Sequence, residues 1–329
     1  MLRALIIGCG RIAGNLDAIG ETPITHAAAY RMIPGVKLVG CFDKDQDKAS
    51  LFSKRYECEM AQSPQEAMGR LQPDIVSVCT PDSTHFETVK QLLCARYLPR
   101  VIFLEKPACR TSVELNELIR CASERQVDIV VNHTRRFDPC HRELRQRILS
   151  GEFGSLLHAH VIYYSGWQHN GVHIVDTLAF LFDAQLQIVR VTAALESPYP
   201  GDPTLELELA LAHQSGRIVV RAIDEKFYQL FDFDLCFTDA RLRIEDFGTR
   251  IILERKIVNE IGENILVPVN HGLLPRVVTP MQFAIKLIVE RISTNDASLL
   301  NGYRLSDIAG TMHTIWKGCH LYENQTRSN

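Results

Sequence analysis

Three short stretches of this 329-residue chain combine residue types and spacings that can do chemistry. The first is Glu105-Lys106-Pro107, which directly follows the apolar run Val101-Ile102-Phe103-Leu104. A lysine at the end of a buried strand is costly to desolvate, so it is rarely placed there without a purpose. Its ammonium can polarise a hydroxyl or carbonyl oxygen; a structural salt bridge to Glu105 is the competing role. The second stretch is Gly8-Cys9-Gly10-Arg11-Ile12-Ala13, directly after the apolar run from Leu2 to Ile7. Gly8 permits a tight turn, Gly10 lets the backbone approach a pyrophosphate, and Arg11 and Ile12 open the helix that follows. The third is His169-Asn170-Gly171-Val172-His173-Ile174-Val175-Asp176. Histidines four apart share a helix face and titrate near neutrality, which suits proton transfer.

The elements that must position these residues change character at Asn132. Before it, short apolar runs at 2–7, 36–42, 74–79, 101–104 and 127–131 alternate with helical stretches near 26–32, 45–55, 83–95 and 111–124. The runs are rich in Val, Ile and Leu and do not alternate with polar residues, as expected of strands covered on both faces. Thr111 and Glu114 mark a capped helix start. This pattern predicts a doubly wound parallel sheet over residues 1–132. Ligands bind such sheets at the carboxyl ends of the strands, where Lys106 falls.

After Asn132 the sequence predicts a helix over 139–149 and strands at 157–164, 188–196, 204–212, 217–223, 230–238, 241–245 and 250–258. Helices follow near 279–292 and 303–321. Leu205-Glu206-Leu207-Glu208-Leu209 alternates, so one face of this second sheet is expected to be wet. The fold class is therefore α/β: a Rossmann domain over 1–132 and a second α/β domain over 133–329 with a large, mostly antiparallel open sheet.

Further residues fit the dinucleotide reading. Asp43 closes the second strand, where a carboxylate can accept hydrogen bonds from both adenosine ribose hydroxyls and would repel a 2′-phosphate. That favours NAD over NADP. Asp43 could instead cap the next helix, although Asp45 can do so as well. The segment from the glycine turn to Asp43 is longer than the usual ~30-residue unit, which places an insertion around 16–25. Thr80-Pro81 ends the third major strand, with a hydroxyl at the binding edge. His85 opens the next helix, either covering the cofactor or serving only as a helix-start residue. Tyr163, Tyr164, Trp167 and Gln168 lead into the histidine helix and are candidates to line a substrate pocket. Arg135 and Arg136 offer a cation to an anionic substrate, with salt bridges between the domains as the alternative. The i, i+4 spacing of His169 and His173 also suits a metal, but no glutamate or cysteine-rich partner accompanies them, so no metal is expected. His158 and His160 read as a sheet-surface pair.

Composition narrows the classes. A net charge of -3, from 36 basic and 39 acidic residues, gives no electrostatic footprint for nucleic acid. No run reaches the ~18 apolar residues of a membrane span. Residues 4–7 are too short for a signal-peptide core. The ten cysteines include no C-x-x-C pair and read as free thiols of a cytoplasmic protein. A chain of this size buries about three quarters of its unfolded surface and needs neither disulfide nor metal to fold.

Gly8-x-Gly10, Thr80-Pro81 with His85, Glu105-Lys106-Pro107 and Asn132-His133-Thr134-Arg135-Arg136-Phe137 occur in the order and approximate spacing of the Gfo/Idh/MocA oxidoreductases, which the chain resembles. The resemblance covers the first ~180 residues in motifs and the remainder by layout. It implies a catalytic Lys106, a Lys106-Pro107 bond that can be cis, no metal, and a homodimer or homotetramer paired through the second-domain sheet. The family's second motif is Asp-x-x-x-His. His173 matches its histidine and Asp176 a frequent acidic residue one turn on, but His169 stands where the aspartate belongs.

The resulting expectation is an NAD(H)-dependent oxidoreductase acting on a secondary alcohol or ketone of a sugar, sugar nucleotide or cyclitol. Lys106 polarises the reacting oxygen, His173 is the general acid/base, and His169 orients it or binds substrate. The cofactor would lie against Gly8, Gly10, Arg11, Ile12, Asp43, Thr80, Pro81, His85 and Glu105; Arg136, Tyr164, Trp167 and Asp176 are candidates for the substrate. The alternatives are an NAD(H)-binding sensor without catalysis, and an imine or enone reductase with Lys106 as its only acid.

Overall fold

The computed structural model describes residues 1–16, 23–212, 215–269, 273 and 278–328, so most of the expected insertion lies outside the described residues. Two compact units are present: Met1–Asp138 with Arg276–Ala309, and Pro139–Pro275 with Gly310–Asn329.

The first unit opens with β1 (Leu2–Ile7), α1 (His26–Met32), β2 (Val36–Phe42), α2 (Gln46–Tyr56), β3 (Glu59–Met60), α3 (Pro64–Leu71) and β4 (Ile75–Val78). It continues with α4 (His85–Leu93), β5 (Val101–Leu104), α5 (Ser112–Arg125), β6 (Asp128–Val131) and the single turn α6 (Thr134–Phe137). The strands form one parallel sheet in the order β3-β2-β1-β4-β5-β6. β4 and β5 are buried at every residue, which explains their unbroken apolar sequence. The strand order reverses between β1 and β4, so the carboxyl ends of these strands face the crevice where such sheets bind ligands. Those ends carry Gly8, Thr80 and Lys106. The helix starts follow local chemistry: Asp45 caps α2 through the Lys48 N–H, Ser63 caps α3 ahead of Pro64, and Thr111 with Glu114 forms a capping box on α5.

The second unit begins with α7 (Pro139–Leu149), β7 (Leu156–Tyr163) and α8 (Val172–Phe182). Then come β8 (Leu186–Leu195), β9 (Thr204–Leu211), β10 (Arg217–Ala222), β11 (Asp232–Phe237), β12 (Ala240–Glu245), β13 (Arg250–Val258) and β14 (Asn264–Pro268). The eight strands run in the order β14-β13-β12-β11-β7-β10-β9-β8. Every pairing is antiparallel except that of β7 with β10. Burial alternates along β9, β11 and β12, so one face packs on a core and the other is wetter.

The chain then returns to the first unit through α9 (Pro280–Thr294), capped by a Thr279–Gln282 box, before α10 (Ala309–Ser328). A single boundary at 132 assigns this returning segment to the second domain; in the structure residues 276–309 cluster with the first unit. Long-range contacts explain why. Asp128, at the start of β6, accepts from Arg291 Nε at 3.0 Å and Arg304 Nε at 2.7 Å. Tyr303 stacks on Phe137 with ring centroids 4.7 Å apart, and Leu305 N–H donates to Ile129 O at 2.8 Å.

Asp128 thus compensates two arginines whose side chains are 17% and 21% exposed. Asp128→Ala would leave both without their carboxylate. It is expected to lower the unfolding free energy by about 2–3 kcal/mol, the scale of hydrogen bonds to charged groups. Urea unfolding checks this; an unchanged midpoint would show that Asp128 does not hold the returning segment.

Candidate active site

At the carboxyl end of β1, Gly8 has φ +91°, and a Cβ there would lie 2.7 Å from the Cys79 carbonyl carbon. A side chain would therefore strain the turn and collide with the neighbouring strand. Beyond Gly10, Arg11–Asn15 forms one wide π-type turn instead of an ordinary helical start, with Arg11 exposed and Ile12 half-buried. A Cβ at Gly10 would meet nothing within 4 Å, so its open side faces free space. Gly14, by contrast, would place a Cβ 2.5 Å from the Tyr56 ring, and the Tyr56 hydroxyl donates to Gly14 O at 2.6 Å. The turn is thus pressed against α2 on one side and open on the other.

Asp43 fastens this turn. Its Oδ2 accepts from Cys9 N–H at 2.7 Å and its Oδ1 from Asp45 N–H at 2.9 Å. Asp45, not Asp43, caps the following helix. Each Asp43 oxygen keeps acceptor capacity beyond its single backbone donor. This bracing of the glycine turn was not legible in the sequence, because it depends on a contact 34 residues apart.

At the end of β4, Thr80 Oγ1 is a buried hydroxyl with no hydrogen-bond partner among the described residues. Pro81 is exposed and ends the strand. His85 is 1% exposed, with Nδ1 2.7 Å from Pro107 O and Nε2 2.8 Å from Thr80 O. Both nitrogens face backbone carbonyls, so the ring straps two strand ends together. The Lys106-Pro107 peptide between these elements is cis.

Lys106 is mostly buried, and desolvation pulls its ammonium below the ordinary lysine range, although Glu105 and Asp82 oppose that shift and Arg135 adds to it. The adjacent Glu105 is fixed by a buried chain of polar groups. Its Oε1 lies 2.9 Å from His26 Nε2 and 2.6 Å from Asn132 Nδ2. His26 Nδ1 lies 2.9 Å from Ser77 Oγ, which is 2.8 Å from the Tyr30 hydroxyl. Burial alone would raise the Glu105 carboxyl; the His26 and Asn132 hydrogen bonds and the His26 and Lys106 charges outweigh it and hold the group below the usual carboxylate range. Sequence reasoning overlooked His26, whose only local signal is an apolar helix start, His26-Ala27-Ala28-Ala29-Tyr30.

Arg136 does not present a free guanidinium to a ligand. It is 7% exposed, and its Nη1 donates to Gly302 O at 2.7 Å within the same unit. The positive charge that acts on Lys106 comes from Arg135.

In the second unit, Trp167–Gly171 is again a wide π-type turn, leading into α8. His169 lies in that turn and His173 in the first turn of α8. Their neighbours differ: the His169 ring stacks on Tyr199 at 3.9 Å, and His173 meets the edge of Phe231 at 6.2 Å. Asp202, absent from the sequence-based candidates, accepts Gln168 N–H at 2.7 Å and His169 N–H at 2.9 Å, which puts a carboxylate at the start of the turn. Trp167 is fully buried and donates through Nε1 to Ile315 O at 2.9 Å, which anchors the ring in the core. Asp176 is also buried, with Thr311 Oγ1 3.4 Å from its Oδ1. Tyr164 is only partly buried and stands edge-on to Phe247 at 6.1 Å. Among the described residues, no three His, Cys, Asp or Glu side chains gather as metal ligands. No described helix is long and apolar enough to cross a membrane.

The open glycine turn, the Asp43 carboxylate and the Thr80 hydroxyl suit a dinucleotide, with its pyrophosphate at the turn. Residues 2–133 match the family model described as an oxidoreductase family with an NAD-binding Rossmann fold. The chain is 30% identical over 158 residues to an inositol 2-dehydrogenase of Mycolicibacterium smegmatis, covering 44% of each. The chain spans about half the length of the curated relatives it matches. Two solved structures share the fold over nearly the whole chain. One is a putative NADPH-dependent oxidoreductase from Desulfitobacterium hafniense, with TM-score 0.80 and 17% identity, covering 98% of this chain and 96% of that one. The other is a UDP-N-acetylglucosamine 3-dehydrogenase from Acidithiobacillus ferrooxidans, with TM-score 0.72 and 18% identity, covering 97% of each. The glycine turn and the strand-end lysine thus both lie within residues 2–133, the part of the chain that matches the Gfo/Idh/MocA oxidoreductase family model.

Proposed function

We propose that the protein is an NAD(H)-linked oxidoreductase that moves hydride to or from a secondary alcohol or ketone of a sugar, sugar nucleotide or cyclitol. The observation that carries this reading is Lys106, a mostly buried ammonium at the carboxyl end of β5, beside the Thr80 strand end and its unpartnered hydroxyl. The relative named as an inositol dehydrogenase and the neighbour named as a sugar-nucleotide dehydrogenase support the substrate class.

A bound nicotinamide supplies the hydride donor or acceptor. Gly8, Gly10 and the N–H groups opening at Arg11 would hold the pyrophosphate, and Asp43 the adenosine ribose. Lys106 binds the reacting oxygen and stabilises the negative charge that grows on it when the hydroxyl loses its proton. The fixed Glu105 carboxylate keeps Lys106 charged despite burial. His173 takes the hydroxyl proton in oxidation and returns it in reduction. The wetter face of the eight-stranded sheet is the surface through which we expect a homodimer or tetramer to form. A sensor that binds the dinucleotide without turnover is the second reading, favoured only by His169 in the place of the family aspartate. A stoichiometric NADH fluorescence change with no turnover on a panel of sugars and cyclitols would select it.

Asp43 is expected to favour NAD(H) over NADP(H) by about ten- to a hundredfold, the scale of charge-assisted hydrogen bonds to a ribose. Titration of both cofactors tests this, and equal or tighter NADPH binding would remove Asp43 from the ribose.

Lys106→Met keeps the side-chain length and removes the charge. Turnover is expected to fall by about two to four orders of magnitude while NAD affinity changes little. Near-normal turnover would sink the assignment.

The pH profile of kcat/KM separates the histidines. In the oxidation direction activity is expected to rise through the neutral region as His173 loses its proton and becomes a base. It is then expected to fall again below the ordinary lysine value of about 10.5, because burial lowers the Lys106 ammonium and activity needs its charged form. His173→Asn should abolish the acid limb, whereas His169→Asn should keep it at reduced activity. Loss of that limb only in His169→Asn would reverse the two roles.

A further inference from the structure

At one end of the eight-stranded sheet a hairpin turn that needs a left-handed backbone places a bulky aromatic residue where glycine or asparagine is usual. β7 ends at Tyr163, and β11, which begins beside it, pairs Asp232 with Ile162. β12 ends and β13 begins at the same end, joined by the turn Asp246–Thr249. In that turn Asp246, Phe247 and Gly248 adopt φ +52°, +60° and +94°. Only the glycine does so without cost; a bulky aromatic residue in this region is an outlier. The turn is held from several sides. Asp246 N–H donates to Asp232 Oδ1 at 3.1 Å, and Thr249 donates to Asp246 O through both its N–H at 3.1 Å and its hydroxyl at 2.8 Å.

In this conformation Phe247 is 49% exposed. A core-filling role does not explain a strained aromatic that stays at the surface. It stands beside the Tyr164 ring, perpendicular at 85° with centroids 6.1 Å apart. The chain after Tyr164 is also left-handed, with Ser165 at φ +62° and Gly166 at +81°. Asn170 Nδ2 donates to Tyr164 O at 3.0 Å and so ties this residue to the turn that bears His169. Phe231, the residue before β11, meets His173. The same sheet end therefore gathers two strained loops, two accessible aromatic residues and both candidate histidines.

We infer that Tyr164 and Phe247 form an aromatic shelf that receives the C–H face of a pyranose or cyclitol ring, and that Phe247 is a specificity-determining residue of the proposed reaction. Two perpendicular rings present an apolar wall with a polarised π face, which matches the weakly positive C–H face of a ring whose hydroxyls point elsewhere. A planar anion or an extended acyl chain would gain little from such a corner. The inference rests on the hydride-transfer reading for its substrate class, but it is read out by binding.

The test uses the full chain with saturating NAD and two probes, myo-inositol and methyl β-D-glucopyranoside, measured by calorimetry and saturation-transfer NMR. At least one probe should bind with its axial C–H protons in contact with the protein. Phe247→Ala should weaken it by about tenfold or more, and Phe247→Tyr by no more than about threefold. Phe247→Gly should weaken binding equally while raising Tm by about 2–4 °C, because glycine accepts the left-handed backbone. Unchanged affinity in Phe247→Ala would overturn the shelf, as would a wild type that binds neither probe. A fall of Tm in Phe247→Gly would overturn it too, since the ring would then be structural. A wild type that binds a probe through Phe247 yet never reduces NAD would instead refute the hydride-transfer reading and leave the shelf standing.

Discussion

The buried carboxylate of Glu105 is the constraint on which the catalytic end of the sheet depends. A carboxylate at the end of a covered strand must be hydrogen-bonded or neutral. Here His26 and Asn132 both reach its Oε1, so it stays ionised and fixed. That fixed negative charge makes it affordable to place the Lys106 ammonium in the next position. His26 in turn is aligned by Ser77, and Ser77 by Tyr30, so α1, β4, β5 and the end of β6 are linked through one polar chain in an otherwise apolar core. Such a chain specifies a single arrangement because each member would be costly to leave unpaired.

A second restraint acts on the strand ends from the other side. His85 bridges Thr80 O and Pro107 O, and Asp43 bridges the glycine turn to the start of α2. The three residues expected to touch cofactor or substrate, Gly10, Thr80 and Lys106, are therefore presented by backbone held from behind. Functional groups placed on rigid strand ends in this way lose little freedom on binding.

How much of this was legible in the sequence depends on the distance over which each feature is determined. The parallel sheet was readable because β4 and β5 are buried on both faces and so are apolar without interruption. The alternation at 205–209 reported the one-sided second sheet for the same reason. β3, with two residues, α3, with eight, and the exposed β14 were missed because none carries a long periodic pattern. Lys106 and the glycine turn were visible as local motifs. His26, Asp202 and the bracing role of Asp43 were not, since each acts through a partner 33 to 79 residues away. Trp167, Arg136 and His85 each direct a polar atom onto a backbone carbonyl, and their residue types alone did not announce those partners. Residue type announces chemistry, but burial decides whether a ligand can reach it.

The account turns on a desolvated lysine kept charged by a fixed carboxylate, and the titration of Lys106 itself measures that most directly. With the lysine side chains labelled with 13C and 15N, and Lys106→Met used to assign the signal, the Lys106 midpoint is expected below the ordinary value of about 10.5. In Glu105→Gln, which removes the compensating charge and leaves the burial, the midpoint should fall further. A Lys106 that titrates at or above the ordinary lysine value, or a midpoint that does not move in Glu105→Gln, would contradict the account.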